Sequence, residues 1–467
     1  MNYYLGIDLG TTGTKSILFD ESGKVIGKGY KGYGLITPCE NFFEQNAEDW
    51  YDAVVCSVKE AIAGFKGEVK AMSFSAQGGS FLFVDVDKNG QPIPLTNAIT
   101  WMDKRAEKEA ELLKEKYYQL TGNRMGASNM VAKYAWVKNN MPDAFSKAKY
   151  VLSTSDYIYM RLTGEVVIDY TSAAMMGVYD TDLNDYDERL VTLAGLKIEN
   201  FPRIVQAGEF IGFANAQFLQ ETGLKGDISV YAGLHDQFAA SLGANYFSEN
   251  DVIVSTGTTW VVFARNNDRI KGNFACRRHP AGDYGYFNSA VSSGTVLEWE
   301  KNLFGLPYKE MDELASEKPI DENLLVYPFV SGNGGYRGQN VLSFAIKNAH
   351  YRHDKGDIFK ATMEGVAFEV KQIINIYKRS GFELGNVIVT GGATRSSVWM
   401  QILSDVLGEK LYLSEQADGC CFGAYSVAIK GEKGKFVKFE FNGKTVDYIE
   451  ENATKYVAKF DNYNKNM

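Results

Sequence analysis

The chain has 467 residues, of which 45% are hydrophobic and 23% are charged, and these fractions are typical of globular proteins. They exclude a wholly disordered or fibrous chain, and at about 150 residues per domain the length predicts about three domains, or two large ones with insertions. The 49 basic and 58 acidic residues give a net charge of −9, which argues against a nucleic-acid or anionic membrane surface.

The chain shows no signal for secretion or membrane insertion. Residues 1–8 lack the basic region and apolar core of a signal peptide, and no apolar run reaches the ~18 residues that span a bilayer. The five cysteines form no Cys-x-x-Cys pair, which favours reduced thiols over disulfides or a zinc site. We therefore expect a cytoplasmic protein with a small-molecule partner, and we leave a homodimer open as its assembly.

Apolar runs alternate with amphipathic stretches along the chain, as in α/β proteins. Strands are predicted at 3–7, 16–19, 25–29, 69–75 and 81–86, and a helix at 47–63. The first two strands are joined by a turn that contains Gly-Thr-Thr.

A similar turn occurs in the second half of the chain. Residues 5–19 and 252–263 share Gly-Thr-Thr between two short apolar runs, each of which predicts a strand. Chance can produce one such match; the alternative is a duplicated domain whose second copy begins near residue 245. Duplication predicts two domains, residues 1–245 and 246–467, with a ligand cleft between them.

The first turn, Asp8–Lys15, is a candidate phosphate site. It lacks the Gly-Lys-Ser/Thr ending of a P-loop, and a strand rather than a helix follows, so P-loop and Rossmann sites are both excluded. Backbone N–H groups around Gly10 and the hydroxyls of Thr11 and Thr12 can face phosphate oxygens, whereas Asp8 suits Mg²⁺. An ordinary hairpin with aspartate beside its turn is the alternative.

The segment 228–243 predicts an apolar strand that leads into a small-residue helix near Asp236. A helix N-cap is the plain interpretation of this aspartate, and a base that acts on a substrate hydroxyl is the functional one. Gln237 can hydrogen-bond a polyol. His235 has no second histidine at metal-binding spacing, and we expect it to be a packed or surface neighbour.

Three further turns add candidate ligand contacts. Gly391-Gly392 follows a predicted buried strand, and two bare glycines let a flat ring or a phosphate approach the backbone; a tight strand-to-helix turn is the alternative. The loops 75–80 and 101–105 contain Gln, Trp, Asp and Arg, residue types that can surround a sugar, although each is a weak signal alone.

Together these segments resemble the FGGY family of carbohydrate kinases, and the resemblance runs in order along nearly the full chain. Asp8–Thr14 is similar to the family's first phosphate loop, and Trp101–Arg105 to its Trp-x-Asp-x-Arg sequence. Ala232–Gln237 is similar to the segment with the catalytic aspartate. Ser255–Thr259 resembles the second phosphate loop, and Gly391–Ala393 the adenosine turn.

The resemblance implies an α/β fold of two actin-like, ribonuclease H-like domains, with nucleotide and sugar in the cleft between them. It implies ATP-dependent phosphorylation of a sugar or polyol hydroxyl, with ATP and Mg²⁺ as cofactors. The residues it implies are Asp236 as catalytic base; Asp8 for the metal; Gln77, Gly78, Trp101, Asp103, Arg105 and Gln237 for the substrate; and Gly10, Thr11, Thr12, Lys15, Gly257, Thr258, Gly294, Gly391 and Gly392 for ATP.

Departures from the family pattern concern the substrate. Xylulokinases usually have Gln-Met-His-Gly where this chain has Gln77–Ser80, so a sugar-contacting histidine is missing, and the Asn-Gln-Arg-Glu-Thr of glycerol kinases is missing too. The pair Asp236-Gln237 is nearer to glycerol kinases, whereas the length and Thr121–Asn123 are nearer to xylulokinases. We expect a ketopentose such as D-xylulose, with glycerol, a sugar acid or another polyol as alternatives.

Two functions of other classes stay open. An actin-like ATPase that acts on protein partners shares two Gly-Thr turns, but only a short amphipathic tail follows residue 430. A sugar-binding regulator without catalysis is disfavoured because both Asp8 and Asp236 are present.

Overall fold

The computed structural model describes residues 2–244, 250–270, 275–290, 292–330, 336, 343–414, 418–437 and 443–467. The chain divides into two compact units, Met1–Gly243 with Cys420–Lys438, and Ala244–Gly419 with Phe439–Met467. The predicted domain boundary after residue 245 lies outside the described residues.

Strands and helices alternate through both units. The strands are β1 (Tyr3–Leu9), β2 (Gly13–Asp20), β3 (Val25–Gly32), β4 (Glu44–Gln45), β5 (Val69–Ala76), β6 (Phe81–Val86), β7 (Pro92–Pro94), β8 (Ala98–Ile99), β9 (Tyr150–Ser153), β10 (Val167–Asp169), β11 (Tyr179–Asp180), β12 (Asp185–Tyr186), β13 (Arg203–Val205), β14 (Phe210–Phe213), β15 (Ser229–His235), β16 (Val252–Thr256), β17 (Trp260–Asn266), β18 (Ala275–Arg278), β19 (Tyr284–Ala290), β20 (Leu325–Tyr327), β21 (Ala345–Lys347), β22 (Val387–Gly391), β23 (Leu411–Ser414) and β24 (Gly443–Val446). The helices are α1 (Ala47–Ala61), α2 (Glu107–Thr121), α3 (Met130–Asn140), α4 (Pro142–Lys147), α5 (Thr154–Thr163), α6 (Tyr170–Ala173), α7 (Glu188–Leu193), α8 (Ala216–Thr222), α9 (Asp236–Gly243), α10 (Ser293–Phe304), α11 (Tyr308–Ser316), α12 (Lys355–Arg379), α13 (Ser397–Leu407), α14 (Gly419–Lys433) and α15 (Glu450–Lys465).

The first unit is built on a six-stranded sheet in the order β14-β15-β5-β1-β2-β3. The hairpin strands β1, β2 and β3 are antiparallel, whereas β1, β5 and β15 run parallel. The central strands are nearly continuous apolar runs because helices bury both faces of the sheet. Helix α14 packs so closely on β1 that a Cβ at Gly6 would lie 2.0 Å from the Cys421 carbonyl oxygen.

A second layer of short strands completes the first unit. Strands β4, β8, β6 and β7 form this sheet, and β9 pairs with β6. With helices such as α3 and α7 they enclose an apolar core of their own, which contains Phe81, Phe83 and Tyr134. This layer places the loop after β8 beside the first turn of the chain.

The second unit contains a seven-stranded sheet in the order β18-β19-β17-β16-β22-β23-β24. Its strands β16, β17 and β19 are antiparallel, and β16, β22 and β23 are parallel. The series β19-β17-β16-β22-β23 therefore has the same order and directions as β3-β2-β1-β5-β15. The Gly-Thr-Thr turns join β1 to β2 and β16 to β17, which occupy the same places in the two series. The repeat in the sequence is therefore a repeat of topology.

Local signals set the helix starts. Asp354 caps α12 in a reciprocal capping box with Asp357, and Asn46 caps α1.

The predicted strands and the helix over 47–63 are confirmed, with α1 ending two residues earlier at Ala61. In the part of the chain that the structure describes, no helix is long and apolar enough to cross a membrane.

Candidate active site

Asp8 lies near the end of β1, where the chain turns into β2. Its neighbour in register on β5 is Ser75, whose hydroxyl donates a hydrogen bond to Asp8 Oδ1 at 2.7 Å. Lys15 of β2 is opposite Asp8 in the antiparallel register. Because Asp8 is only half-buried, its carboxylate is partly open to solvent at the carboxyl edge of the parallel strands.

Side chains from later in the sequence hold the turn after β1. The Tyr33 hydroxyl donates to the Gly10 carbonyl oxygen, and the Gln45 side-chain amide donates to the Thr11 carbonyl oxygen at 2.6 Å. Two oxygens that would repel a phosphate are therefore already paired within the protein. Thr12 is exposed at the tip of the turn.

Asp236 begins α9 directly after β15, which is parallel to β5. Its Oδ1 is buried and lies 3.2 Å from Nε2 of His235. The side chain is nevertheless 31% exposed, so Oδ2 faces open space. A carboxylate with one oxygen buried and the side chain partly exposed is suited to accept a proton from a hydroxyl. Gln237, the next residue, is half-buried.

Strand register places the two aspartates on either side of β5, because Asp8 is in register with Ser75, and His235, which precedes Asp236, with Ala76. The Cys420 thiol lies beside them. Its Sγ lies 3.6 Å from the backbone carbonyl oxygen of Asp236. Burial first, and then the negative charges of Asp8 and Asp236, raise the pKa of this thiol well above its usual value. The structure thus brings the predicted metal ligand and the predicted base together at one edge of the first sheet.

Gln77 and Gly78 follow β5 at the same edge. The Gln77 backbone N–H donates to the Leu9 carbonyl oxygen at 2.9 Å, and its side-chain amide donates to Gln45 Oε1 at 2.8 Å. Gln77 is buried and joins two loops of the site, while Gly78 lies against the ring of His235. Substrate contact by these two residues stays a prediction.

The loop after β8 combines one open residue with a buried ion pair. Trp101 is 48% exposed, and its Nε1 donates to the Thr11 hydroxyl at 3.3 Å. Asp103 and Arg105 are buried, and one guanidinium nitrogen lies 2.8 Å from both Asp103 and Glu44. The pair braces the loop of Trp101, and direct substrate contact by Asp103 and Arg105 stays a prediction.

The second unit contains a pocket of about 540 Å³, a size typical of small-molecule sites. Four of the five ATP-binding residues predicted in this half line it, namely Gly257, Thr258, Gly294 and Gly392. The fifth, Gly391, pairs in register with the last residue of β16 directly beside the pocket. Five predicted residues from three separate segments are therefore at one place.

Two of these glycines are required by backbone contacts. A Cβ at Gly294 would lie 2.2 Å from the Gly257 carbonyl oxygen. A Cβ at Gly391, where φ is +102°, would lie 2.4 Å from the Thr256 carbonyl oxygen. The first turn of α10 and the turn after β22 therefore both lie against the Gly-Thr-Thr turn of this unit.

The floor of the pocket is aromatic and its rim is charged. The rings of Trp260 and Trp399 lie with their centroids 4.5 Å apart, and both side chains are buried. Asp312, Glu298 and Arg395 line the rim, and burial raises the pKa of the Asp312 carboxyl. A flat ring system fits an aromatic floor of this kind. Trp399 belongs to the apolar core of the second unit and also lines the pocket.

Several residues of the site were given no individual role by sequence reasoning. They are Tyr33, Gln45, Ser75 and Cys420 in the first unit and Trp260, Glu298 and Asp312 in the second. Ser75 is the one with a local signal, because it is the first residue of the predicted loop 75–80. The others come to the site through strand register and helix packing.

Comparisons with known proteins agree with this geometry. Residues 3–243 match the N-terminal domain of the FGGY family of carbohydrate kinases, and residues 252–431 match its C-terminal domain. The chain is 26% identical to xylulose kinase of Bacillus subtilis, over 99% of this chain and 96% of that protein. It is 26% identical to gluconokinase of the same bacterium, over 97% and 93% of the two chains.

The crystal structure of a protein titled xyloylose kinase, from Brucella ovis, has the same fold, with a TM-score of 0.91 at 23% identity. It covers 99% of this chain and 98% of that one. The family match and the shared fold confirm the expected fold class and the expected type of reaction, phosphorylation of a sugar or polyol. The chain belongs to the FGGY family of carbohydrate kinases, an α/β enzyme of two actin-like domains that uses ATP to phosphorylate a sugar or polyol hydroxyl.

Proposed function

We propose that the enzyme phosphorylates a ketopentose, with D-xylulose as the first candidate, and that Asp236 is the base. The observation that supports Asp236 is its carboxylate, whose Oδ1 is buried and whose side chain is 31% exposed, at the same edge of the sheet as Asp8. The similarity to a xylulose kinase supports the substrate. The equal identity to a gluconokinase keeps a sugar acid as the second candidate. Free cysteines and the use of ATP support a cytoplasmic location, which we also propose.

The reaction needs positioning and charge neutralisation more than covalent chemistry. The substrate hydroxyl oxygen forms a bond to the γ-phosphorus, and its proton passes to Asp236 Oδ2. The bond between the γ-phosphorus and the bridging oxygen breaks, and ADP leaves. Trp101 supplies an open aromatic face beside this site, suited to the apolar face of a sugar.

The pocket of the second unit takes the adenosine. The indole rings of Trp260 and Trp399 form a floor for the base, and Gly392 lets the ligand approach the backbone. Gly257 and Thr258 lie against the first turn of α10, where the helix dipole favours phosphate. In the first unit, the phosphate contacts we propose are Gly10, Thr11, Thr12 and Lys15.

Mg²⁺ fits the oxygen donors beside Asp8. Among the described residues, no three His, Cys, Asp or Glu side chains form a metal site. One carboxylate, with phosphate and water oxygens, is the set of ligands that Mg²⁺ commonly takes. When bound, the ion neutralises charge on the β- and γ-phosphates. Ser75 holds Asp8 Oδ1 and so orients the carboxylate for it.

A screen of ADP release tests the substrate. The purified enzyme is assayed with MgATP and a panel of ketopentoses, aldoses, glycerol, erythritol and sugar acids, with kcat/KM measured for each. We expect the highest value with D-xylulose. A clear preference for gluconate or glycerol would contradict the ketopentose, and ADP release that no member of the panel stimulates would contradict the proposal as a whole.

A further inference from the structure

The Gln45 side chain is 1% exposed, and its amide makes hydrogen bonds to three separate segments of the first unit. Nε2 donates to the Thr11 carbonyl oxygen at 2.6 Å, in the turn after β1. Oε1 accepts the indole N–H of Trp50 on α1 at 3.2 Å, and the side-chain N–H of Gln77, in the loop after β5, at 2.8 Å. One buried amide therefore joins the first turn, a helix and a loop of the site.

The chemistry of these partners fixes which way the Gln45 amide points. An indole N–H can only donate, and a backbone carbonyl oxygen can only accept. Reversal of the amide would place Nε2 against the Trp50 N–H and Oε1 against the Thr11 carbonyl oxygen. Both contacts would be repulsive, and buried polar groups would lose their hydrogen bonds, which is costly. Gln45 is thus held in one orientation, as a donor towards Thr11.

The hydrogen bond to Thr11 also sets the direction of a backbone N–H. In a planar trans peptide, the carbonyl of one residue and the N–H of the next point in opposite directions. Because Gln45 holds the Thr11 carbonyl, the Thr12 N–H points away from Gln45. The Tyr33 hydroxyl holds the Gly10 carbonyl and directs the Thr11 N–H in the same manner. In the part of the chain that the structure describes, neither N–H has a hydrogen-bond partner, which leaves two donors for an anion.

A peptide in a turn can rotate when its carbonyl is not held. If the peptide between Thr11 and Thr12 turned over, its oxygen would lie where the N–H had been and would repel a phosphate. A misplacement of about 1 Å at a group that aligns the reactants can already lower a rate about 100-fold. Gln45 opposes this rotation from a buried position, so it acts on the turn through Thr11 rather than by touching the ligand.

We propose that Gln45 is a positioning residue for the phosphoryl transfer. Through the Thr11 carbonyl it directs the Thr12 N–H towards a phosphate oxygen, and through Gln77 it ties the same turn to a loop that we expect to contact the sugar. The inference rests on the proposed phosphate contacts of Thr11 and Thr12. It gives the two ends of one side chain different functions, since Nε2 serves the nucleotide and Oε1 serves the sugar loop.

Substitution by glutamate tests the donor alone, because Gln45→Glu keeps an oxygen for Trp50 and Gln77. Burial beside a carbonyl oxygen raises the pKa of the introduced carboxyl group, so it is protonated and donates to Thr11 at about pH 6 but is ionised and repels Thr11 at about pH 9. The ratio of kcat/KM for MgATP, variant to parent, should be about 10-fold higher at the lower pH, whereas the KM for the sugar should stay within about threefold of the parent value. The three partners of Gln45 do not ionise, and the parent corrects for titration elsewhere.

Gln45→Met removes both ends of the amide at similar size. We expect kcat/KM for MgATP to fall about 10- to 100-fold at either pH, and the KM for the sugar to rise because Gln77 loses its acceptor. A purely structural role would lower thermal stability without this difference between the glutamate and methionine variants. Tyr51→Phe is the matched control, because it removes only a hydroxyl that donates to Glu221 at 2.8 Å, and its kcat/KM should equal that of the parent.

Thr12→Ala tells the two possible failures apart. If Thr12→Ala and Gln45→Met both keep the parent kcat/KM for MgATP, the proposed phosphate contacts of the turn are wrong, and the inference fails with them. If Thr12→Ala lowers it and Gln45→Met does not, the positioning role is wrong and the proposed function stands. An equal ratio for Gln45→Glu at the two pH values would contradict the donor to Thr11. If Gln45→Met does not fold, Gln45→Glu decides, because its two measurements use the same protein.

Discussion

At the scale of single residues, the first sheet collects its chemistry where parallel strands end. Asp8 and Ser75 are in register on neighbouring strands, and Asp236 follows the strand beside them. The side chains meet because successive parallel strands present their carboxyl ends at one edge, as in other open α/β sheets. Asp103 and Arg105 differ from these residues, because their side chains are buried in an ion pair with each other rather than open at the edge of the sheet. Their predicted contact with the substrate stays a prediction.

The base assignment predicts a large loss on Asp236→Asn. The amide cannot accept the hydroxyl proton, so kcat should fall by about 100-fold or more, whereas the KM for ATP should change little because the nucleotide pocket is untouched. Initial rates of sugar-dependent ADP release measure both quantities. A thermal melt equal to that of the parent enzyme is the control for folding.

At the scale of elements, α10 and α12 share a buried carboxyl group. Glu300 of α10 is fully buried, and its Oε1 accepts the Thr362 hydroxyl of α12 at 2.6 Å. Burial raises the pKa of Glu300 from 4.5 to about 8. The folded enzyme therefore holds this group protonated at neutral pH, whereas the unfolded chain releases the proton above its ordinary pKa.

This shift predicts that stability falls as the pH rises between about 4.5 and about 8. In this window the unfolded chain binds fewer protons than the folded one, and the contribution of Glu300 decreases by up to about 1.4 kcal/mol per pH unit. Glu300→Gln removes the effect and still accepts the Thr362 hydrogen bond. We expect it to raise the melting temperature at pH 8 more than at pH 5; an equal change at both would contradict the assignment.

Helices α12 and α15 share a buried ion pair. Glu364 of α12 pairs with Lys459 and accepts the Tyr456 hydroxyl at 2.8 Å, and all three side chains are buried. Lys459→Met leaves a buried carboxylate without its cation, which costs about 3–5 kcal/mol, whereas Glu364→Gln with Lys459→Met should recover much of it. Denaturant unfolding measures these free energies.

A matched control is available on the same helix. Lys455 pairs with Glu451 on the surface of α15, at the spacing i, i+4. Lys455→Met should cost less than about 1 kcal/mol, because exposed pairs contribute little. A cost comparable to that of Lys459→Met would mean that the effect arises from the helix as a whole rather than from the buried charge.

At the scale of the whole molecule, the net charge of −9 bears on how ATP is held. The overall field repels an anionic nucleotide, so local turns, a helix N-terminus and a metal must supply the attraction. We expect kcat/KM for MgATP not to fall as NaCl rises from about 20 to about 200 mM, because screening weakens a repulsion. A steep fall would indicate long-range attraction by a basic surface.

The sequence by itself determined the α/β class, the two Gly-Thr-Thr turns, the family and the type of reaction. It did so because hydrophobic periodicity and turn chemistry are local, and because the motifs lie in a characteristic order. The sequence also predicts Gly257, Gly294 and Gly392 as ATP residues; that role stays a prediction, and the structure places all three on one pocket.

Only the tertiary structure decided which side chains meet. Asp8, Ser75, Asp236 and Cys420 are far apart in the chain, and parallel register together with helix packing brings them to one edge. The position of His235 against Gly78 and Asp236 depends on the same packing. Such contacts arise from the closure of long loops, which no local pattern in the sequence specifies.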